Sequence, residues 1–180
     1  MKATKFVLFV VLAIILSCKD EPVRDMNQDQ KTVSTFYLIR HAEKDRTNPD
    51  DADPELNQKG LGRAMHWAEI LDAVALDAIY STDYNRTSMT AAPTSVKKNI
   101  DVQYYDPRTV DIDQFKADNL NKNVLVVGHS NTTPEFVNQL IGEEKYSTID
   151  DSENGTLFIV HIVNGIATDT KLTFNCNCPD

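Results

Sequence analysis

Apolar positions in this chain follow two patterns. Short runs of consecutive apolar residues alternate with segments whose apolar residues recur every three or four positions. The first pattern suits strands buried on both faces, and the second is the helical period. Residues 34–39 read as the first strand, which stops at Arg40-His41. Residues 45–55 are polar, hold Pro49 and Pro54, and read as a loop. Asn57 is placed to cap a helix reaching about Ala73, with Leu61, Ala64, Met65, Ala68 and Leu71 at helical spacing. Residues 78–80 form a short strand ending at Ser81. A helix starts near Tyr84 and carries Arg86, with Pro93 bending or ending it. Residues 102–105 are a strand closed by Asp106-Pro107, and residues 111–120 suit a helix. Residues 124–127 are a wholly apolar strand ending in Gly128-His129-Ser130. Thr132 or Thr133 is expected to cap the next helix, with Pro134 in its first turn and its end near Gly142. The last two strands, residues 156–163 and 166–174, meet at Asn164-Gly165, a two-residue hairpin signal.

Strands alternating with helices predict an α/β fold: a sheet parallel in its centre, made mixed by the closing hairpin. A chain of 180 residues, 41% hydrophobic and 25% charged, suits one globular domain, placed at residues 34–175 with a tail at 176–180. The first 33 residues read differently. Lys2 and Lys5 precede an unbroken apolar run over residues 6–16. As a helix this run reaches about 16 Å, short of the roughly 30 Å bilayer core, so it reads as a signal-peptide core. Residues 19–33 are polar and suit a flexible tether.

Charge narrows the partners. Without residues 1–17 the chain carries 16 basic and 27 acidic side chains, a balance of 16 − 27 = −11. An acidic surface argues against nucleic acid, while a local cationic pocket still binds phosphate, because repulsion fades within about 8 Å at physiological salt. Beyond Cys18, the remaining cysteines are Cys176 and Cys178. An oxidising compartment permits a disulfide between them, though a Cys-x-Cys ring is tight and a frayed tail is the plainer expectation.

Three predicted strands end in reactive or cationic residues: Arg40-His41, the segment from Ser81 to Arg86, and Gly128-His129-Ser130-Asn131. If these strands are neighbours, two arginines and two histidines meet in the crevice at the carboxyl ends of the sheet. Arginines bind phosphoryl oxygens bidentately and keep their charge, and helix starts near Tyr84 and Thr132 would aim free N–H groups at the same anion. One histidine can attack phosphorus while the other stabilises the transferring oxygens. His66 and His161 lack ligand spacing to another histidine, and no Gly-x-Ser-x-Gly surrounds Ser130.

Three motifs in this order, each after a strand, resemble the histidine phosphatase superfamily, branch 1, the group named for phosphoglycerate mutase. Arg40-His41-Ala42-Glu43 is similar to its nucleophile motif, with Ala42 where the family more often has Gly. The stretch from Ser81 through Arg86-Thr87 to Thr90-Ala91 and the stretch Val126-Val127-Gly128-His129-Ser130 resemble the second and third, and Leu56-Asn57-Gln58-Lys59-Gly60 looks like its first-helix entry. The resemblance implies a three-layer sandwich: a mixed, mostly parallel central sheet flanked by helices. It implies that His41 is the nucleophile, that Arg40 and Arg86 clamp the phosphoryl oxygens, and that His129 completes the clamp, with no metal or cofactor. The family takes its leaving-group proton from a carboxylic acid shortly after the third strand. Asp106 is the preferred candidate, with Asp111 and Glu43 as the others.

The short segments between motifs resemble the small, lid-less phosphohistidine phosphatases. The expected activity is hydrolysis of phosphomonoesters or phosphoprotein groups. The alternatives are a weak or inactive phosphate-binding module and a mutase-type phosphotransferase. Ser17-Cys18, after the apolar run, resembles the bacterial lipoprotein cleavage site. That implies lipidation of Cys18 and attachment to the cell envelope. Lys19-Asp20-Glu21 resembles a tag for surface display, although a plain hydrophilic tether fits the same residues. The substrate and the oligomeric state are open.

Overall fold

Six apolar or alternating runs pair into one sheet in the computed structural model of the protein, which describes residues 31–178. In chain order the elements are β1 (Val33–Arg40), α1 (Gln58–Ile70), β2 (Ala78–Ser81), α2 (Asn85–Lys98), β3 (Val102–Tyr104), α3 (Ile112–Asp118), β4 (Asn123–Gly128), α4 (Thr132–Ile141), β5 (Thr156–Val163) and β6 (Ile166–Thr173). The strand order is β3-β2-β4-β1-β5-β6. The β3·β2, β2·β4 and β4·β1 pairs are parallel, and β1·β5 and β5·β6 are antiparallel.

The side-chain period of two makes the three layers. On β4, Val124 and Val126 face one side and join Phe115 of α3 and Phe136, Val137 and Leu140 of α4. Leu125 and Val127 face the other side with Trp67 of α1 and Ala91 of α2. Both faces of the central strands are covered, so their sequences are apolar without alternation. The chain leaves β1 toward the α1 face and leaves β4 toward the α4 face. The adjacent carboxyl ends of β1 and β4 are therefore where the connections diverge and a crevice opens.

Several expectations need correction. The buried face of α1 is Gly60, Arg63, Ala64, Trp67 and Ala68, whereas Leu61 and Met65 are 40% and 57% exposed. The start of the helix lies so close to the β1–α1 turn that a Cβ at Gly60 would come 2.1 Å from the Glu43 carbonyl oxygen. That approach and the Arg63–Glu43 ion pair turn Leu61 and Met65 outward. Pro93 does not end α2, which runs on to Lys98 because Thr87, Thr90, Ala91 and Thr94 are buried on its inner face. Asn131, not a threonine, is the N-cap residue of α4. Thr132 Oγ1 instead accepts from His129 N at 3.1 Å, and Thr133 Oγ1 donates to the Ile39 carbonyl at 3.4 Å. Residues before 34 also pair with the sheet: Thr32 exchanges backbone and side-chain hydrogen bonds with Asn164. The Asn164-Gly165 turn forms with φ of 50° and 80°, the left-handed values a two-residue hairpin needs. Cys176 and Cys178 are joined as a disulfide, with Cα atoms 5.1 Å apart, in place of the frayed tail. The segment expected to be a signal peptide, Cys18 and the expected tether up to residue 30 lie outside the described residues.

Candidate active site

Register places the three motifs at one level of the sheet. Arg40 is opposite Gly128, and Ser81 is opposite Val127. His41, Thr82 and His129 follow directly, each one residue past a strand. Arg40, His41, Arg86 and His129 line a single cavity of about 790 Å³, with Lys44, Tyr84 and Asp106 also on its wall. The rings of His41 and His129 are 5.5 Å apart.

The backbone around His41 is held at three points. His41 N donates to the Gly128 carbonyl at 2.9 Å, and Asn154 Nδ2 donates to the His41 carbonyl at 3.0 Å. Ala42 N donates to Thr90 Oγ1 at 2.9 Å, and that hydroxyl donates to the Arg86 carbonyl at 2.7 Å. Thr90 thus ties the first motif to the helix that carries Arg86. Ala42 is fully buried beside Leu56 and Ala64, so the position tolerates a methyl group. His41 Nδ1 lies 2.7 Å from the Ala42 carbonyl. A carbonyl only accepts, so Nδ1 carries the proton and Nε2 keeps a free lone pair. Burial lowers the His41 pKa to about 3, with Arg40, His129 and Arg86 adding to the effect and the Ala42 bond opposing it. The ring is therefore a neutral nucleophile across the whole range near pH 7.

His129 is oriented from both ends. Its Nε2 lies 2.8 Å from Thr82 Oγ1, and its Nδ1 lies 3.4 Å from Arg86 Nη2. The guanidinium only donates, which leaves Nε2 as the protonated nitrogen and Thr82 as its acceptor. Thr82 passes its own proton to Thr87 Oγ1 at 3.1 Å, and Thr87 donates to backbone carbonyls. Burial, then Arg86, Arg40 and Lys44, lower the His129 pKa to about 4. An anion between these cations would reverse their effect and favour protonation of Nδ1, which faces Arg86.

Arg86 is braced by residues that no motif announced. Asp53 Oδ1 accepts from Arg86 Nη1 at 3.2 Å and from Asn85 N at 3.0 Å. Tyr84, the N-cap residue of α2, makes no side-chain cap, and Asp53 supplies one from a distant loop. One of the expected free N–H groups at this helix start, that of Asn85, is thus already satisfied by a carboxylate. The Tyr84 ring lies 4.4 Å from the Arg86 guanidinium and meets the His129 ring edge-on at 5.0 Å.

The three carboxylate candidates separate. Asp106 is on the cavity wall, but both of its oxygens accept from Arg108, at 3.0 and 2.8 Å. The hydrogen bonds from Arg108 hold its carboxyl below the usual range. Asp111 caps α3, accepting from Asp113 N and Gln114 N, and lines neither cavity, so it drops out. Glu43 is bound at both oxygens by Arg63 and lines a second cavity, of about 620 Å³, which Arg40 and His41 also line. That cavity also contains Lys44, Arg46, Lys59 and Asp151. Lys44 follows the first motif directly and was within reach of sequence reasoning. Asp53 and Asp151 were not, because their loops hold several equivalent carboxylates.

A family profile for the histidine phosphatase superfamily (branch 1) matches residues 36–113. Phosphoserine phosphatase 1 of Hydrogenobacter thermophilus is 37% identical over 83 residues, covering 43% of this chain. The match spans 38% of that relative's length. The protein histidine phosphatase SixA, solved with tungstate, superposes with a TM-score of 0.58 at 15% identity, over 77% of this chain and 96% of that one. Phosphoglycerate mutase of Bacillus anthracis gives a TM-score of 0.59 at 15% identity, over 78% and 92%. The two structural likenesses establish the α/β fold. Over residues 36–113 the chain is similar to the histidine phosphatase superfamily (branch 1).

Proposed function

We propose that the protein hydrolyses phosphomonoesters or phosphoprotein groups through a phosphohistidine formed on His41. The observation that carries this reading is the His41 ring itself. Its Nδ1 is committed to the Ala42 carbonyl, and its neutral Nε2 is free within a cavity that also holds Arg40, Arg86 and His129.

The steps follow from those positions. The His41 Nε2 lone pair attacks phosphorus while the bond from phosphorus to the ester oxygen breaks. Arg40 and Arg86 neutralise the three phosphoryl oxygens, and His129, protonated at Nδ1 as the anion enters, donates to one of them. Asp106 is the proposed acid for the leaving oxygen. For this it must leave Arg108 and take up a proton, which the pairing opposes. Water then attacks the phosphohistidine, its proton is accepted by the same carboxylate, and His41 departs neutral. The engagement of Asp106 by Arg108 favours one competing reading, a phosphate-binding module without turnover.

The apolar segment before Cys18 supports a location at the bacterial cell envelope, attached through lipid on that cysteine. Phosphorylated small molecules and phosphoproteins are the proposed substrates.

The test is phosphate release by the full chain from a panel of phosphorylated compounds and phosphopeptides, with His41→Ala as the blank. Turnover is expected from the native chain alone. Binding of phosphate with no turnover of any compound would leave the binding module. Release from an alkyl phosphate is expected to fall about 10²-fold or more in Asp106→Asn, and equal rates would remove Asp106 from the mechanism.

A further inference from the structure

Arg40 is 2% exposed, and most of its donors are already engaged. Nη1 donates to the carbonyls of Asp150, Asp151 and Glu153 at 3.0, 3.0 and 3.3 Å, all on the connection between α4 and β5. Nη2 meets Asp151 Oδ1 at 2.5 Å. Nε, on the same edge of the guanidinium as Nη2, is buried without a hydrogen-bond partner among the described residues. The other oxygen of Asp151 is held by Arg46 Nη2, also at 2.5 Å. One edge of Arg40 is therefore closed by carbonyls. The other carries a one-point contact with a carboxylate where a two-point contact is available.

Asp151 differs from the other carboxylates that pair with arginines near the cleft. Asp53, on Arg86, lines neither cavity. Asp106, on Arg108, touches neither clamp arginine. Asp151 lines both cavities beside His41, and its side chain is 64% exposed, so it has solvent to move into. Partial burial works against its charge, but the hydrogen bonds from Arg40 and Arg46 outweigh that and hold its carboxyl below the usual range.

We infer that Asp151 is a further residue of the anion site: a carboxylate of the chain itself that holds the Nη2 end of Arg40 and competes with the phosphoryl group for it. The inference rests on reading the cleft as a phosphoryl site. A phosphoryl group offers two oxygens to the Nε–Nη2 edge, satisfying the orphaned Nε that Asp151 leaves unmet. Asp151 then gives up Arg40 and stays on Arg46. When phosphate leaves, the carboxylate returns. The exchange keeps Arg40 aligned between turnovers and lowers the affinity for product, which speeds its release. Asp151 is a positioning residue, and it has no part in bond making.

The test is calorimetric titration of inorganic phosphate into the full chain, with steady-state kinetics on an alkyl phosphate. Asp151→Asn is expected to bind phosphate about three- to tenfold more tightly. KM and the product-inhibition constant fall together and kcat does not rise. Asp113→Asn, which removes the same charge from a side chain 96% exposed on α3, is expected to change phosphate affinity less than about twofold. Should asparagine disturb the loop, Asp151→Ser removes the carboxylate with a turn-compatible residue and is read in the same way. Unchanged or weaker phosphate binding in the Asp151 variants, or equal tightening in Asp113→Asn, overturns the inference. Tightening in a chain that turns over no ester sinks the phosphatase reading and leaves this one standing. Turnover without tightening does the reverse, and no phosphate binding by any of the proteins sinks both.

Discussion

At the scale of single residues, the cleft is a set of cations around two rings that burial keeps neutral. His41 titrates at about 3 and His129 at about 4, against 6.5 for a free histidine. Below pH 6.5 the unfolded chain therefore binds protons at these rings that the folded chain refuses, so stability falls as pH falls. Each ring contributes a slope of up to about 1.4 kcal/mol per pH unit between 6.5 and the folded values. Denaturant midpoints measured from pH 7 to 5 should fall accordingly, and replacing either histidine with glutamine should remove about half of the histidine-linked slope. A slope unaltered in both variants would mean that the rings charge as freely as in water. Arg40 and His41 were legible because an apolar run ended at two residues with matched chemistry. Which carboxylate lines the cleft was not: Asp106 and Asp111 are near neighbours in sequence, and only packing decides that Asp106 lies on its wall while Asp111 caps a helix.

At the scale of elements, loops far apart in sequence complete what the motifs begin. The loop between β1 and α1 sends Asp53 to the first turn of α2, where it caps Asn85 N and braces Arg86. Asp53→Asn should lower stability by about 1 kcal/mol through the lost charge at the helix start. It should also raise the KM for a phosphomonoester, because Arg86 loses its brace. Thermal unfolding and steady-state kinetics read the two effects, and a variant altered in neither would make the contact incidental. The extents of the strands and of α3 were legible from apolar runs and turn residues to within a residue or two. The buried face of α1 was not, since the contact of Gly60 with the Glu43 backbone outranks the apolar spacing of Leu61 and Met65. Pro93 likewise misled, because tertiary burial of α2 outweighs one missing backbone hydrogen bond.

At the scale of the whole molecule, an acidic chain with formal charge −9 gathers Arg40, Lys44, Arg86 and Arg108 on one cavity wall beside Asp83, Asp106 and Asp151, while Glu43 is paired with Arg63 and Asp53 with Arg86. The proposed envelope location rests on residues before the described ones. Expressed in a bacterium, the full chain should fractionate with membranes and take up labelled fatty acid, and Cys18→Ser should abolish both. A chain that stays membrane-bound and unlabelled would point to a different attachment. The sequence by itself determined the α/β class and the three strand-end motifs. Each of those is a local matter of apolar period, turn residues and side-chain type. Only the tertiary structure decided the order β3-β2-β4-β1-β5-β6, which sets the three motif ends side by side, because strand pairing is a contact between distant segments. It alone decided which charges face the cleft and which are spent on one another. In acidic loops every carboxylate looks alike in sequence, and what separates Asp53, Asp106 and Asp151 is the partner that folding brings within reach.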